Sequence, residues 1–387
     1  MRSFVQNLWP AKSNPIGIDF GSDCLRVAQV RKESNQLRLL AAEHRDVPTS
    51  VGNNWNARRD FFAQSLREIL SEGKFVGRQA VLGLPAAATH IAHMRLAKAD
   101  PKALEEALRW EVQGKLPFEA SQAVLRHIVA GEVFVDQEAR DEVIVFACRR
   151  EMVEGLIGAA EKARIDVVGM NVEISAIVEC FAQLYRRKGD AEAINCFLDI
   201  GSAGSRVIIS CGRKILFVRA IAVGCAYLNS AVAEELHIGA DETALLRRRL
   251  ADRPVEEMAL ISSESHLETA VADDRRHDLR EIASEPAEEE ITQAGKSTVD
   301  KIVDEFTLCQ RYYESAFPGN AIERLIFVGG GAADRRLCQE IARGIGLPAQ
   351  VGDPLVRVEG REIIDAGVKR PQPAWAVAIG LSAGGIP

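Results

Sequence analysis

Apolar and polar positions along this chain fall into two copies of one arrangement. Ile16 to Val30 reads IGIDFGSDCLRVAQV and Phe197 to Ser210 reads FLDIGSAGSRVIIS. Each copy is an apolar run, a Gly-Ser turn and a second β-rich run, then a polar turn (Lys32 to Gln36; Cys211 to Lys214) and a third apolar run (Leu37 to Ala42; Ile215 to Ala220). Short apolar runs bounded by glycine and polar residues predict strands, so each copy reads as three strands joined by tight hairpins. The copies keep one register, with Asp19, Gly21, Ser22, Arg26 and Val27 matching Asp199, Gly201, Ser202, Arg206 and Val207. That constancy marks a duplicated unit.

Helical spacing fills the intervals. Asp100 is a candidate N-cap with Pro101 behind it, Leu104, Leu108 and Val112 share a face, and Gly114 with Pro117 ends the run. Further helices are expected over Glu151 to Ala163, Val172 to Tyr185, Thr298 to Tyr313 and Asp334 to Arg343. Strands are expected at Ile165 to Val168 and at Arg324 to Val328, the latter breaking into Gly329, Gly330 and Gly331.

Composition then narrows the class. A chain of 387 residues, 47% apolar and 27% charged, has room for two or three ordinary globular domains at roughly 100–200 residues each. The net charge of -7 argues against nucleic acid, because neutralising phosphates needs a basic face. Much of that charge is local: residues 251 to 297 hold 13 acidic and 5 basic side chains and no aromatic ring, and so read as a mobile insert with a transient helix near Asp273 to Ala283. The eight cysteines form no C-x-x-C pair and read as buried thiols, His90 and His93 read as a surface pair, and Trp55, Trp110 and Trp375 read as packing residues. Trp9 lies in an apolar N-terminal segment expected to dock on the protein's own body. The longest apolar stretch, Ala374 to Ile386, is shorter than the ~20 residues of a membrane helix, so the expectation is a cytoplasmic protein without direct membrane insertion.

The repeated turn carries the candidate chemistry. In a strand ending Asp-x-Gly-Ser, glycine admits a phosphate close to the backbone, the following amides donate to it, and the carboxylate holds a hydrated metal ion. Two such turns, followed by strand, Gly-Gly-Gly and helix, point to a nucleotide clamped between two halves, with the third glycine run near the adenosine.

These motifs, with VGGGA at Val328 to Ala332, resemble the phosphate and adenosine motifs of the actin, hexokinase and heat-shock-protein superfamily. ALEEALRWEVQGKLPFEASQ (Ala103 to Gln122), DEVIVFACRREMVEGLIGAAEKARIDVVGMNVEISAIVECFA (Asp141 to Ala182) and PAWAVAIGLSAGG near the end resemble the PilM family of type IV pilus assembly proteins, relatives of FtsA. The resemblance spans about four-fifths of the chain, leaving out 251–297. It implies an α/β, actin-like, duplicated ribonuclease-H-like two-lobed fold with a small FtsA/PilM-type insert. The first lobe would comprise 11–84, 168–191 and 371–387, the inserted subdomain 85–167, the second-lobe core 192–224 and 322–370, and a second-lobe insert 225–321.

The same resemblance implies ATP and Mg²⁺ as cofactors and at most slow hydrolysis. Asp19 and Asp199 would hold Mg²⁺ through water, Gly21, Ser22, Gly201 and Ser202 would face the phosphates with Arg26 and Arg206, Gly329 to Gly331 would meet the adenosine, and Glu173 would orient an attacking water. Arg26 stands where the family usually carries Lys, and Ala244 and Arg247 stand where it carries Glu and Lys for ribose and base. The implied partner is the N-terminal tail of a PilN-like inner-membrane protein, which recruits the chain to the membrane, alongside self-association. A small-molecule kinase and a filament-forming protein are the alternatives on the same fold.

Overall fold

The computed structural model describes residues 13–384 apart from 34–35, 53, 185–187, 252–284 and 365–369. The segment of Trp9 and the expected helix near Asp273 lie outside the described residues. The chain opens with strands β1 (Ile16–Phe20), β2 (Cys24–Glu33) and β3 (Gln36–Asp46), helix α1 (Trp55–Glu72) and strand β4 (Gln79–Leu84). Next come β5 (Thr89–Ala97), α2 (Pro101–Glu111), β6 (Ala123–Val135), β7 (Glu138–Arg149), α3 (Arg150–Lys162), β8 (Asp166–Val172) and α4 (Glu173–Ala182). After the short α5 (Lys188–Glu192), the pattern recurs in β9 (Ile194–Ile200), β10 (Ser205–Cys211) and β11 (Lys214–Ile221). The chain continues through α6 (Cys225–Leu236), α7 (Ala240–Ala251), α8 (Glu285–Ala316), β12 (Arg324–Val328), α9 (Arg335–Ile345), β13 (Ala349–Val351), β14 (Val358–Glu359) and α10 (Ala376–Gly384).

Two sheets repeat one topology. The first runs β14-β3-β2-β1-β4-β8 and the second β11-β10-β9-β12-β13. In each, an antiparallel three-stranded meander is followed by a fourth strand parallel to the first, β4 beside β1 and β12 beside β9. Parallel neighbours need a crossover, and helices supply it. This is the duplicated, two-lobed architecture expected from the repeat. β14, inside the 322–370 span, pairs with β3 and so adds an edge to the first sheet.

Helix α10 locks the first sheet to α4. A Cβ on Gly380 would lie 1.9 Å from the Ala176 carbonyl oxygen, so the two helices meet at a distance only glycine permits. The apolar stretch near the C-terminus is therefore a core helix, with Ala376 through Ser382 all buried.

Expectations at α8, β8 and Trp110 need correction. The segment 251–297 is not uniformly mobile: α8 starts at Glu285, 13 residues before the expected Thr298, and Ile291 and Thr298 are buried. Ile291, Ala294, Thr298 and Ile302 recur at helical spacing, and Gly295 faces Leu228 of α6, so tertiary burial outweighs the acidity of that turn. β8 runs to Val172, beyond the expected Val168, because its parallel pairing with β4 continues to Leu84, and α4 starts one residue later at Glu173. Trp110 is 73% exposed and packs little.

The insert, sheet β5-β7-β6 with α2, has a small core of its own made of Met94, Leu104, Leu108, Val112, Val143 and Val145. Asp100 caps α2 as its sequence predicts, accepting from the Lys102 and Ala103 amides.

The insert is also fastened to the second lobe. The fully buried Glu142 on β7 accepts from Arg95 Nε at 3.0 Å and from the Tyr312 hydroxyl at 3.1 Å, and its Oε1 lies 2.9 Å from His93 Nδ1. His93 Nε2 lies 2.8 Å from the Val218 carbonyl oxygen on β11, and the ring sits beside Phe217 and Tyr312. Both ring nitrogens face oxygen acceptors, so both bonds form at once only when each nitrogen carries hydrogen. His93 is thus a junction residue, not the surface residue its sequence suggests. Burial alone would raise the Glu142 carboxyl, but the bonds with His93 and Arg95 outweigh it and hold the group below its usual 4.5. A depressed carboxylate stabilises the fold above its unfolded pKa and loses that contribution as pH falls. Glu142→Gln should therefore lower unfolding free energy at neutral pH by on the order of 2 kcal/mol, with the gap closing in acid below 4.5, as read by urea denaturation across pH.

Candidate functional site

The duplicated hairpins place one acid and one arginine face to face in each lobe. Asp19 is the register partner of Arg26 across β1–β2, and Asp199 is that of Arg206 across β9–β10. Cross-strand neighbours sit close enough to pair, so this geometry follows from hairpin length alone. Asp19 and Asp199 are 5% and 4% exposed, and Glu173, opening α4, is 6% exposed. The three carboxyls interact with one another and with Arg206.

The two arginines do different things. Arg206 Nη1 is 2.5 Å from Asp199 Oδ2 and 3.5 Å from Glu173 Oε2, closing an ion-paired knot. Arg26 reaches instead toward the second lobe, where a Cβ built on Gly330 would have Arg26 Nη2 as its nearest neighbour, at 3.9 Å. Gly330 is exposed, whereas Gly329 and Gly331 are glycine for packing. Gly329 has φ +84° and a Cβ there would strike Asp199 Oδ1 at 2.2 Å; one on Gly331 would strike Ile200 Cγ2 at 2.4 Å. The strand-Gly-Gly-Gly turn therefore seats the second lobe's carboxylate and leaves one glycine open beside the first lobe's cation.

The turns themselves are tied down through their carbonyls. Arg58 on α1 donates to the Gly21 and Ser22 carbonyl oxygens at 3.0 and 2.7 Å, and the Gly201 and Ser202 carbonyls accept from the Cys225 and Ala226 amides that open α6. Arg247, expected near a base, donates to Asn229 Oδ1 at 2.7 Å and Asp334 Oδ2 at 2.8 Å, and Asp334 also caps α9 through the Leu337 amide. Arg247 thereby joins α7, α6 and α9, and Ala244 lies half-buried one turn before it on α7. Arg58 and Asn229 escaped the sequence reading because nothing local distinguishes an arginine or asparagine that bonds a distant turn; Asp334 carried a signal, as the residue before a helix start.

Burial pushes the Asp19 carboxyl up to about 7, against the pull of Arg26, with Asp199 adding to the rise. Burial pushes Glu173 to about 8, against the pull of Arg206, with Asp19 adding. The residues present fit a magnesium-bound polyphosphate: an open glycine turn and a cation from opposite lobes suit the anion, and buried carboxyls whose charge is costly without a counter-ion suit the metal.

A family model for the type IV pilus assembly protein PilM matches residues 17–257. This chain belongs to that family. Among solved structures, a PilM-PilN type IV pilus biogenesis complex matches with a TM-score of 0.73 at 20% identity, covering 98% of this chain and 100% of that one. The ethanolamine utilization protein EutJ from Carboxydothermus hydrogenoformans matches with a TM-score of 0.53 at 12% identity, covering 98% of this chain and 92% of that one. The fold of this PilM-family chain is thus the actin-like, two-lobed one, and no helix among the described residues is long and apolar enough to cross a membrane.

A carboxyl raised by folding supports the folded state below its unfolded pKa and ceases to do so as pH rises through its folded one. Stability of the wild type should therefore fall more steeply than that of Asp19→Asn between 3.8 and about 7, and more steeply than that of Glu173→Gln between 4.5 and about 8. Chemical denaturation at stepped pH reads the difference; parallel curves for wild type and both variants would contradict it.

Proposed function

We propose that this PilM-family protein is an ATP-binding, actin-like component of a type IV pilus inner-membrane assembly platform, and that it holds the N-terminal tail of a PilN-like membrane protein. The observation that carries the reading is the family match together with a likeness, over 98% of the chain, to the PilM-PilN complex. The tail would lie in a groove between the first lobe and the insert, held by backbone pairing and side-chain pockets. Such a partner would bring the protein to the membrane.

The interlobe site supports nucleotide binding by its charges. Arg26 presents a guanidinium from the first lobe to the Gly330 turn of the second, so a phosphate between them bridges the lobes. Arg206 holds Asp199 and Glu173 in place and offsets part of their charge, leaving Asp19 the carboxyl without an ion pair in the cluster. Asp19, with Asp199 behind it, would hold Mg²⁺ through water, the turns at Gly21-Ser22 and Gly201-Ser202 would face the phosphates, and Arg247 would shape the adenosine side through Asp334. When bound, Mg²⁺ neutralises the polyphosphate. Glu173, within the buried knot at the start of α4, would orient an attacking water. The division into first lobe, insert, second-lobe core and second-lobe insert follows the same reading.

Calorimetry with Mg²⁺-ATP should show micromolar binding by the wild type and none by Asp19→Ala. A synthetic peptide of the PilN-like tail should bind the wild type in the same range. Absence of both heats would overturn the reading; peptide binding without ATP binding would keep the platform and remove the nucleotide from it.

A further inference from the structure

A recess of about 500 Å³ opens in the first lobe where the C-terminal ends of α1 and α3 meet the entry to β4. Leu70 and Ala163 form its buried floor, and Arg67, Arg78, Lys162 and Arg164 rim it with the Ser71 hydroxyl. Four cations from three separate elements line one cavity, and among the described residues no carboxylate does.

The charges there are more than the fold requires. Two helix C-termini converge on the recess, each equivalent to about half a negative charge, and Arg67 already donates to one of them, the Lys162 carbonyl, at 3.3 Å. Lys162 has an exposed neighbour in Asp60, 3.7 Å away. Among the described residues Arg78 and Arg164 have no carboxylate within ion-pair distance. All four cations are exposed, so water screens their mutual repulsion, and an anion entering the recess would meet positive charge from three sides.

The backbone gives independent support. Arg164 follows α3 in the left-handed region, φ +58°, where its amide donates to the Glu161 carbonyl and the next amide to that of Ala160. This helix-ending position favours glycine, since any Cβ there is strained. That conformation fixes where the Arg164 side chain leaves the backbone at the rim.

We propose that this recess is an anion site for a phosphate-bearing ligand, either an anionic phospholipid headgroup or a soluble phosphate ester, and that it is separate from the interlobe cleft. Arg78 precedes β4, while Gly83 at the other end of that strand faces the Asp19 backbone. The length of β4, about 3.3 Å per residue, therefore lies between the two places. The volume suits a compact ligand, and guanidinium groups match phosphate oxygens in pairs.

The test uses the full chain, inorganic pyrophosphate by calorimetry, and sedimentation with vesicles of phosphatidylglycerol and phosphatidylcholine in equal parts. Arg164→Gly suits the backbone and Arg78→Gln keeps a polar side chain, so the double variant should melt like the wild type. Measured in an Asp19→Ala background, so that a phosphate held between the lobes is not read, it should bind whichever probe its parent binds about 100-fold more weakly, two charge-assisted contacts being lost. Vesicle binding would assign the lipid headgroup and pyrophosphate binding without vesicle binding the soluble ester. The proposal is overturned if neither probe binds the wild type, if the double variant binds as its parent does, or if Asp19→Ala alone abolishes binding.

Discussion

The arrangement on which the rest of this molecule depends is a carboxylate placed opposite an arginine across a tight hairpin, made twice and brought together with little water. Asp19 and Arg26, and Asp199 and Arg206, are fixed as neighbours by strand register. What the tertiary fold adds is burial. Burial makes charge costly inside this low-dielectric junction, so Asp19 and Glu173 rise toward neutral pH, and Arg206 is ion-paired with Asp199.

Duplication did not preserve equivalence. In the second lobe the arginine turns back onto its own carboxylate and onto Glu173, which makes it part of the framework. In the first lobe the matching arginine crosses to Gly330. One copy of the motif therefore stiffens the site and the other spans it. The difference arises from α4, whose first residue supplies a second acid near Arg206.

The insert shows a similar economy. It has a separate aliphatic core under α2, yet its sheet is joined to β11 and α8 of the second lobe through His93, Glu142 and Tyr312. A subdomain that interrupts the first lobe in sequence is bonded to the second in space. Any change in the angle between the lobes must strain or break those bonds, so the insert is mechanically part of both.

The two hairpin meanders, the capped α2, the helix after the triple glycine and the Asp-x-Gly-Ser turns were legible from the sequence, because each depends on residues within a few positions of one another. The helical turns before Thr298 were not, since the acidic composition around Glu288 to Glu290 argues for solvent while the burial of Ile291 against distant elements decides for helix. His93 could not be told from a surface histidine, because its partners stand on β7 and β11. Residue type and spacing determined which side chains the site would contain and the hairpins that carry them. Only the tertiary structure decided what each does, because burial, the direction of Arg26 and Arg206, and the ties from Arg58 and Asp334 are contacts between segments far apart in the chain.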